Sequence, residues 1–161
     1  MICRYICEAD VERCLEIYNY YIENTTYTFE EKMLTYRDFK SRIDCISEKY
    51  PFLVAVEDNR ILGYTYLNDF NERSAYRYTA DLSIYVDKNE CHKGIGFFLL
   101  NQIEDIARKE GIKNIVSVIT DENFGSKCFH EKSGFKQVGR LENVGIKFNR
   151  WLSVDYYQKK L

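Results

Sequence analysis

A short glycine-containing segment, His92–Gly96, has the residue types needed to bind a phosphate group. It follows an alternating stretch, Thr79–Val86, that predicts a β-strand. It precedes apolar residues from Ile95 onward, spaced by three and four positions, that predict an amphipathic helix. At such a junction unpaired N–H groups and the positive end of the helix dipole converge where side chains are absent. We therefore predict an anion-binding loop, with a simple tight turn as the alternative.

The glycine spacing narrows the choice of phosphate ligand. No Lys-Ser or Lys-Thr follows Gly96, as in nucleoside-triphosphate loops, and the third glycine of dinucleotide-binding loops is missing. The segment Cys91–Gly96 resembles the pyrophosphate loop of the GNAT acetyltransferases, whose pattern is Q/R-x-x-G-x-G/A after a strand. Cys91 replaces the Gln or Arg of that pattern, which leaves phosphate binding mostly to the backbone.

One carboxylate interrupts the strand that leads to this loop. Asp81 alternates with the apolar residues Leu82 and Ile84, and a charge in a central strand is costly to bury unless it is paired, hydrated or functional. Such a group suits a general base that takes a proton from an amine. The alternative is a structural Asp that is hydrogen-bonded to Thr79 or Ser83.

Length and composition are those of a globular protein with one domain. The chain has 161 residues, of which 45% are hydrophobic and 30% charged, and we expect a single domain over residues 1–161. No apolar run approaches the roughly 20 residues of a membrane helix, and the first residues do not read as a signal peptide. We therefore expect a cytoplasmic protein without a membrane partner.

Charge and cysteine usage argue against two further classes of site. The net charge of -2, with both signs intermixed, provides no basic surface for nucleic acid. The six cysteines form no CxxC pairs, and only two histidines accompany them. We expect these cysteines to be small buried hydrophobic residues, without disulfides and without a metal site. Cys91 is the exception in position, because it lies in the loop that should meet a ligand, where a partly exposed thiol is reactive.

Hydrophobic periodicity predicts strands and helices that share one mixed sheet. The predicted strands are Ile2–Ile6, Phe52–Glu57, Ile61–Phe70, Tyr78–Val86, Ile115–Ile119, Phe135–Val144 and Arg150–Gln158. The helices are predicted to begin after an N-cap at Asp10, after an N-cap at Thr35, at Ile95 and at Ser126. Three antiparallel strands thus precede the glycine loop, and a parallel crossover follows it.

The order of these elements resembles the GNAT fold, and several separate segments resemble its phosphinothricin and methionine-sulfone acetyltransferase branch. These segments are Tyr50–Ala55, Arg73–Tyr85, Asn123–Phe135 and Gly145–Trp151. The resemblance covers nearly the whole chain. It implies an α+β (mixed α/β) fold with a central, mostly antiparallel sheet of six to seven strands and helices on both faces. It also implies acetyl-CoA as co-substrate and a homodimer.

The resemblance assigns cofactor contacts to two parts of the chain. Backbone groups of the strand before the loop would bind the pantetheine arm, and the loop amides would bind the pyrophosphate. The residues so implied are Ile84, Tyr85, Val86, Cys91, His92, Lys93, Gly94, Ile95 and Gly96. Asn123 and Ser126 are further implied contacts, and Ser126 also suits a helix cap.

The resemblance also implies catalytic roles. Asp81 stands where the family has Glu as the base, and because Asp is one methylene shorter we expect a relaying water between Asp81 and the amine. His130 stands where many GNAT enzymes have a Tyr that protonates the leaving thiolate. His130 either donates that proton or only orients and packs.

The acceptor implied by the resemblance is the α-amine of a small amino acid or amino-acid-like toxin. Arg73 would bind its carboxylate, or it would be an exposed salt-bridging residue. The residues expected to wall the pocket are Phe29, Tyr76, Tyr78 and Leu82. The sequence Trp151–Ser153, Trp-Leu-Ser, resembles the methionine-sulfone type more than the Trp-His-Asp of the phosphinothricin enzymes. The alternatives are a peptide or protein N-terminal acetyltransferase and an inactive coenzyme A-binding module.

Overall fold

A computed structural model describes all 161 residues and contains one seven-stranded sheet with four α-helices. The strands are β1 (Ile2–Tyr5), β2 (Phe52–Glu57), β3 (Arg60–Asp69), β4 (Thr79–Val86), β5 (Asn114–Thr120), β6 (Lys136–Lys147) and β7 (Arg150–Lys160). The helices are α1 (Val11–Asn24), α2 (Tyr36–Ser47), α3 (Ile95–Lys109) and α4 (Phe124–Lys132). The strand order is β1-β2-β3-β4-β5-β7-β6, and only β4 and β5 run parallel.

Helices cover both faces of the sheet, and β4 shows this most clearly. The ring of Tyr85 packs against Tyr18 and Tyr21 of α1, with ring centroids 4.9 and 5.7 Å apart. The adjacent Ile84 and Val86 point to the other face and pack with residues of α3. The predicted fold class, a mixed and mostly antiparallel sheet between two helical layers, is therefore confirmed.

Three of the four predicted helix starts are confirmed, one is wrong, and one predicted capping bond is absent. The hydroxyl of Thr35 accepts a hydrogen bond from the amide of Asp38, as expected of an N-cap. Asp10 does not cap α1, because its carboxylate accepts instead from the amide of Cys7 and from the guanidinium of Arg4. The prediction that α4 begins at Ser126 is also wrong, since α4 begins at Phe124.

The cysteines do not behave as predicted. Only Cys14 is buried, and the other five are partly or fully exposed. The predicted burial is therefore wrong for Cys3, Cys7, Cys45 and Cys128, whereas Cys91, the exception, is partly exposed; all six are free thiols. No group of three or more His, Cys, Asp or Glu side chains comes together in the structure. None of the helices is both long and apolar enough to pass through a lipid bilayer.

Candidate active site

The two parallel strands at the centre of the sheet separate after a short paired stretch. Pairing joins Thr79–Asp81 to Asn114–Val116, and Asp81–Val116 is the last pair. Beyond this fork lies a cleft of about 970 Å³, a size typical of ligand sites. Its walls come from β4, the glycine loop, the first turn of α3, β5, α4 and the end of α1.

The free edge of β4 presents backbone groups to the cleft. The amide of Asp87 donates to the carbonyl of Leu62 at 2.8 Å, and the regular β3–β4 register continues from there. In an antiparallel ladder every second residue bonds to the partner strand, so the odd-numbered residues of β4 bond to β3. The N–H and C=O groups of Ile84 and Val86 therefore point toward the cleft, where β5 has already diverged.

This geometry corrects one predicted cofactor contact and adds a residue that the sequence did not reveal. The backbone of Tyr85 pairs with Tyr64 of β3, so a backbone contact from Tyr85 to a ligand in the cleft is excluded. The hydroxyl of Tyr21 donates to the carbonyl of Val86 at 2.6 Å. That carbonyl is thus occupied by the protein, whereas no such contact is made to Ile84.

The glycine loop has the open geometry that anion binding requires. Gly94 lies in the left-handed region at φ +83°, and a Cβ there would meet no atom within 4 Å. Helix α3 begins with no side-chain cap and no acidic residue in its first turn, so its first amides are free to bind an anion. A Cβ on Gly96 would lie only 3.3 Å from the Phe129 ring. Glycine is therefore favoured at position 94 by its backbone conformation, whereas at position 96 a side chain would require the Phe129 ring to shift.

All but one of the predicted cofactor residues line the cleft. The exception is Lys93, whose ammonium donates to Glu90 at 2.7 Å and whose side chain is exposed. Asn123 and Ser126 both line the cleft, but their mutual bond is a helix cap: the Asn123 side-chain oxygen accepts from the Ser126 amide at 3.1 Å. Their contacts to a cofactor remain a prediction.

Asp81 belongs to the last β4–β5 pair and is followed by Leu82 of the cleft wall, but Asp81 itself is not among the residues that line the cleft. Its side chain accepts no hydrogen bond from Thr79 or Ser83, so the structural alternative for this carboxylate is not supported. Burial raises the pKa of Asp81 from its ordinary 3.8 to about 7, because the charged form loses solvation. A carboxyl group with this pKa exchanges a proton near neutral pH, as a general base must.

His130 is buried, and both of its ring nitrogens have partners inside the protein. Nδ1 donates to the carbonyl of Ser126 at 2.8 Å, and Nε2 lies 3.0 Å from the hydroxyl of Ser117, from which the neutral ring accepts. Burial lowers the pKa of His130 and favours this neutral form. The ring thus has no free N–H for a leaving thiolate, and the geometry supports the orienting role over the catalytic one.

The predicted acceptor residues are mostly not brought together in the structure. Arg73 is exposed and its guanidinium has no partner, and Tyr76 and Tyr78 are about half exposed in the connection between β3 and β4. Leu82 lines the cleft. Phe29 lies elsewhere, because its ring packs on Gly145 of β6, where a Cβ would stand 2.3 Å from the ring. No local sequence pattern indicates this contact, because Phe29 and Gly145 are more than a hundred positions apart.

Comparisons with known proteins agree with this geometry. A profile of the acetyltransferase (GNAT) domain family matches residues 3–154. The chain is 30% identical to an L-methionine sulfoximine/L-methionine sulfone acetyltransferase of Salmonella typhimurium, over 100% of this chain and 95% of that protein.

Solved structures show the same likeness. A ribosomal-protein-alanine N-acetyltransferase from Brucella melitensis superposes with a TM-score of 0.97 at 31% identity, over 100% of both chains. A GNAT superfamily phosphinothricin acetyltransferase from Sinorhizobium meliloti, in complex with acetyl-CoA, superposes with a TM-score of 0.95 at 30% identity, over 99% of this chain and 88% of that one.

Proposed function

This chain belongs to the GNAT family of acetyltransferases, and on that premise we propose that it transfers the acetyl group of acetyl-CoA to the α-amine of a small amino acid or amino-acid-like toxin. Methionine sulfone, methionine sulfoximine and phosphinothricin are the acceptors that its relatives' names suggest. The observation that carries the proposal is the cleft between β4 and β5, which has a glycine loop at one end and lies next to the strand pair that contains Asp81, a carboxyl of raised pKa.

The cleft supports this proposal because it matches an extended ligand with a diphosphate. The unpaired backbone groups of Ile84 and the free N–H of Val86 suit the amides of a pantetheine arm, which would add to the sheet edge as a strand does. The first amides of α3 suit the diphosphate. One free N–H of the β4 edge would bind the thioester oxygen, a contact that contributes about 3 kcal/mol to barrier lowering in other enzymes.

Asp81 is the proposed acceptor of the proton that the amine loses. The amine must be neutral to attack the thioester, and its proton leaves as the new C–N bond forms and the C–S bond breaks. Asp81 lies in the last strand pair before the cleft, next to the lining residue Leu82, and we propose that it accepts this proton through one bridging water.

A screen of amines tests the proposed function. We expect release of free coenzyme A, followed with a thiol dye, when acetyl-CoA is mixed with methionine sulfone, methionine sulfoximine or phosphinothricin. Coenzyme A binding is measured in parallel by calorimetry. If coenzyme A binds while none of these acceptors and no other free amino acid is turned over, the proposal is wrong, and if peptides are not turned over either, an inactive coenzyme A-binding module is the better description.

A second candidate is N-terminal acetylation of a peptide or protein. It is favoured by the likeness to the Brucella protein and by the exposure of Arg73, Tyr76 and Tyr78, which leaves that side open. Peptides that begin with alanine, included in the same screen, distinguish the two. Turnover of peptides without turnover of free amino acids would select this candidate.

We also propose that the protein is a homodimer, joined along β6. This strand is an edge of the sheet, and the β6–β7 hairpin exposes many large apolar side chains. They are Val138, Leu141, Val144, Ile146, Phe148 and Trp151. Edge strands of stable monomers are normally protected by charge, so a second copy is the simplest cover.

Ile146→Glu is expected to convert the dimer to a monomer, because it places a charge beside Trp151, its cross-strand partner. Light scattering coupled to size exclusion measures the mass. The control is Met33→Glu, a similarly exposed position before α2, which is expected to remain dimeric. A wild-type protein that is monomeric throughout the micromolar range would contradict the proposal.

A further inference from the structure

One loop ties the two halves of the forked sheet together on the face opposite α3. We call Thr25–Glu30, the segment that follows α1, the strap. On its α1 side the hydroxyl of Thr28 lies 2.9 Å from that of Tyr18, whose ring packs on Tyr85 of β4. Its other contacts reach β5, β6 and the turn after β5, so the strap crosses the gap left where β4 and β5 separate.

Several bonds fix the strap to the far half of the sheet. The hydroxyl of Thr120 donates to the carbonyl of Thr26 at 2.6 Å. The hydroxyl of Thr26 in turn donates to Glu122 at 3.0 Å. The ammonium of Lys147 donates to the carbonyl of Thr28 at 2.8 Å. These contacts hold consecutive parts of the strap at defined positions.

Lys147 is the unusual member of this set. Its side chain is only 2% exposed, and no carboxylate lies within ion-pair distance of its ammonium. Buried lysines are rare unless they are paired, because the charge loses its hydration. Burial accordingly lowers the pKa of Lys147, against the weaker opposite influence of Glu30 and Glu31. The ammonium also lies 5.2 Å from the centre of the Phe148 ring, but the Thr28 carbonyl is its only hydrogen-bond partner, and the cost of burying this cation requires a reason.

The residues around Lys147 indicate why a lysine is buried at this position. Gly145 and Lys147 lie on the same face of β6, two positions apart. The Phe29 ring packs on Gly145, while Lys147 binds the residue just before Phe29. The two contacts together fix both the path of the strap and the direction of the aromatic ring. Since Lys147 is almost fully covered, a ligand has no access to its ammonium.

We propose that Lys147 is a positioning residue for the acceptor side of the active site. It holds the strap through the Thr28 carbonyl, so that Tyr27 of the strap, which lines the cleft, and the Tyr18–Tyr85 contact at β4 keep fixed places. It does not contact the acceptor itself. The expected change in acceptor kinetics rests on the proposed function. The expected change in the hydrogen exchange of the strap does not.

Lys147→Met removes the donor and keeps the length of the side chain. We expect hydrogen exchange of residues 25–34 to become about tenfold faster, because the strap loses a charge-assisted bond, while β2 and β3 exchange as before. Lys147→Arg should restore slow exchange in part. Lys136→Met, an exposed position on the same strand, is the matched control. Unchanged exchange of residues 25–34 in Lys147→Met overturns the proposal, whether or not an acceptor is known.

Steady-state kinetics distinguish a positioning role of Lys147 from direct binding of the acceptor by Lys147. With an acceptor that the screen identifies, Lys147→Met should raise the acceptor KM about tenfold and leave the KM of acetyl-CoA within twofold. The rise should be equal for an amino acid and for its amide, which lacks the carboxylate. A rise confined to the carboxylate form would mean that Lys147 binds the acceptor and would overturn the positioning role.

If Lys147→Met does not fold, a less disruptive variant tests the same inference. Thr120→Val removes the bond to the Thr26 carbonyl at constant shape and should give a smaller change of the same kind. If Thr120→Val leaves both the exchange of residues 25–34 and the acceptor KM unchanged, the strap does not depend on these bonds and the inference fails. A wild-type enzyme that turns over no acceptor counts against the proposed function alone.

Discussion

Asp81→Asn is expected to lower kcat at pH 8 by about 10²-fold or more while coenzyme A affinity stays unchanged. The amide keeps the shape of the side chain but cannot accept the amine proton. Steady-state rates with the acceptor from the screen and calorimetry with coenzyme A measure the two quantities. The control is Asp69→Asn on the neighbouring strand, an exposed carboxylate paired with Lys49, which should change the rate little.

The pH dependence should follow the raised pKa of Asp81. Only the carboxylate can act as base, so the wild-type rate should rise with pH and level off above about pH 7. This rise should be absent in Asp81→Asn. A variant with a rate within a few-fold of wild type and the same pH profile would remove Asp81 from the base role.

The same pKa predicts an opposite effect on stability. The folded-state pKa of Asp81, about 7, is higher than its ordinary 3.8, so the folded state favours the protonated form. The free energy of unfolding contributed by Asp81 is therefore greatest below pH 4 and falls as the pH rises through 7. Asp81→Asn should raise Tm at pH 8 and leave it nearly unchanged at pH 4. Lower stability of the variant at pH 8 would contradict this assignment.

Gly94→Val is expected to weaken coenzyme A binding by about tenfold or more. The side chain has open space, but φ +83° is unfavourable for a β-branched residue, so the loop must shift and its amides must turn from the diphosphate. Calorimetry with coenzyme A gives the dissociation constant.

Gly111 provides a matched control at the other end of α3. It has nearly the same backbone geometry, φ +85°, and equally open surroundings, but it lies far from the cleft. Gly111→Val should lower stability by a similar amount and leave coenzyme A affinity unchanged. If both variants bind coenzyme A as the wild type does, the glycine loop is not the diphosphate site.

Much of the fold is predictable from local patterns. The alternation along β4 and the periodicity of α3 each specify one element, and Thr35 marks the start of α2. Errors in the predicted helix caps arise where a side chain can bond either to the neighbouring backbone or to a residue on another element. Asp10 reads as a cap, but Arg4 of the first strand offers its carboxylate a stronger charge-assisted partner.

The site is predictable only where its residues are close in sequence. The glycine loop and Asp81 lie within one strand–loop–helix unit, and the sequence identifies them. Tyr21 reaches the Val86 carbonyl, and Lys147 reaches Thr28, across long separations that no local pattern encodes. The alternation along β4 assigns each side chain to one face of the sheet. It does not show which neighbouring strand the backbone groups of a residue face, so the pairing of the Tyr85 backbone with β3 is not predictable from the sequence.

The most direct test of the central claim is a titration of isotope-labelled protein with coenzyme A, followed by the chemical shifts of the backbone amides. We expect large shifts at Ile84, Val86 and Gly94–Gly96, and a much smaller shift at Tyr85, whose amide bonds to β3. Binding that shifts Tyr85 as strongly as Ile84, or that leaves Gly94–Gly96 unchanged, would contradict it.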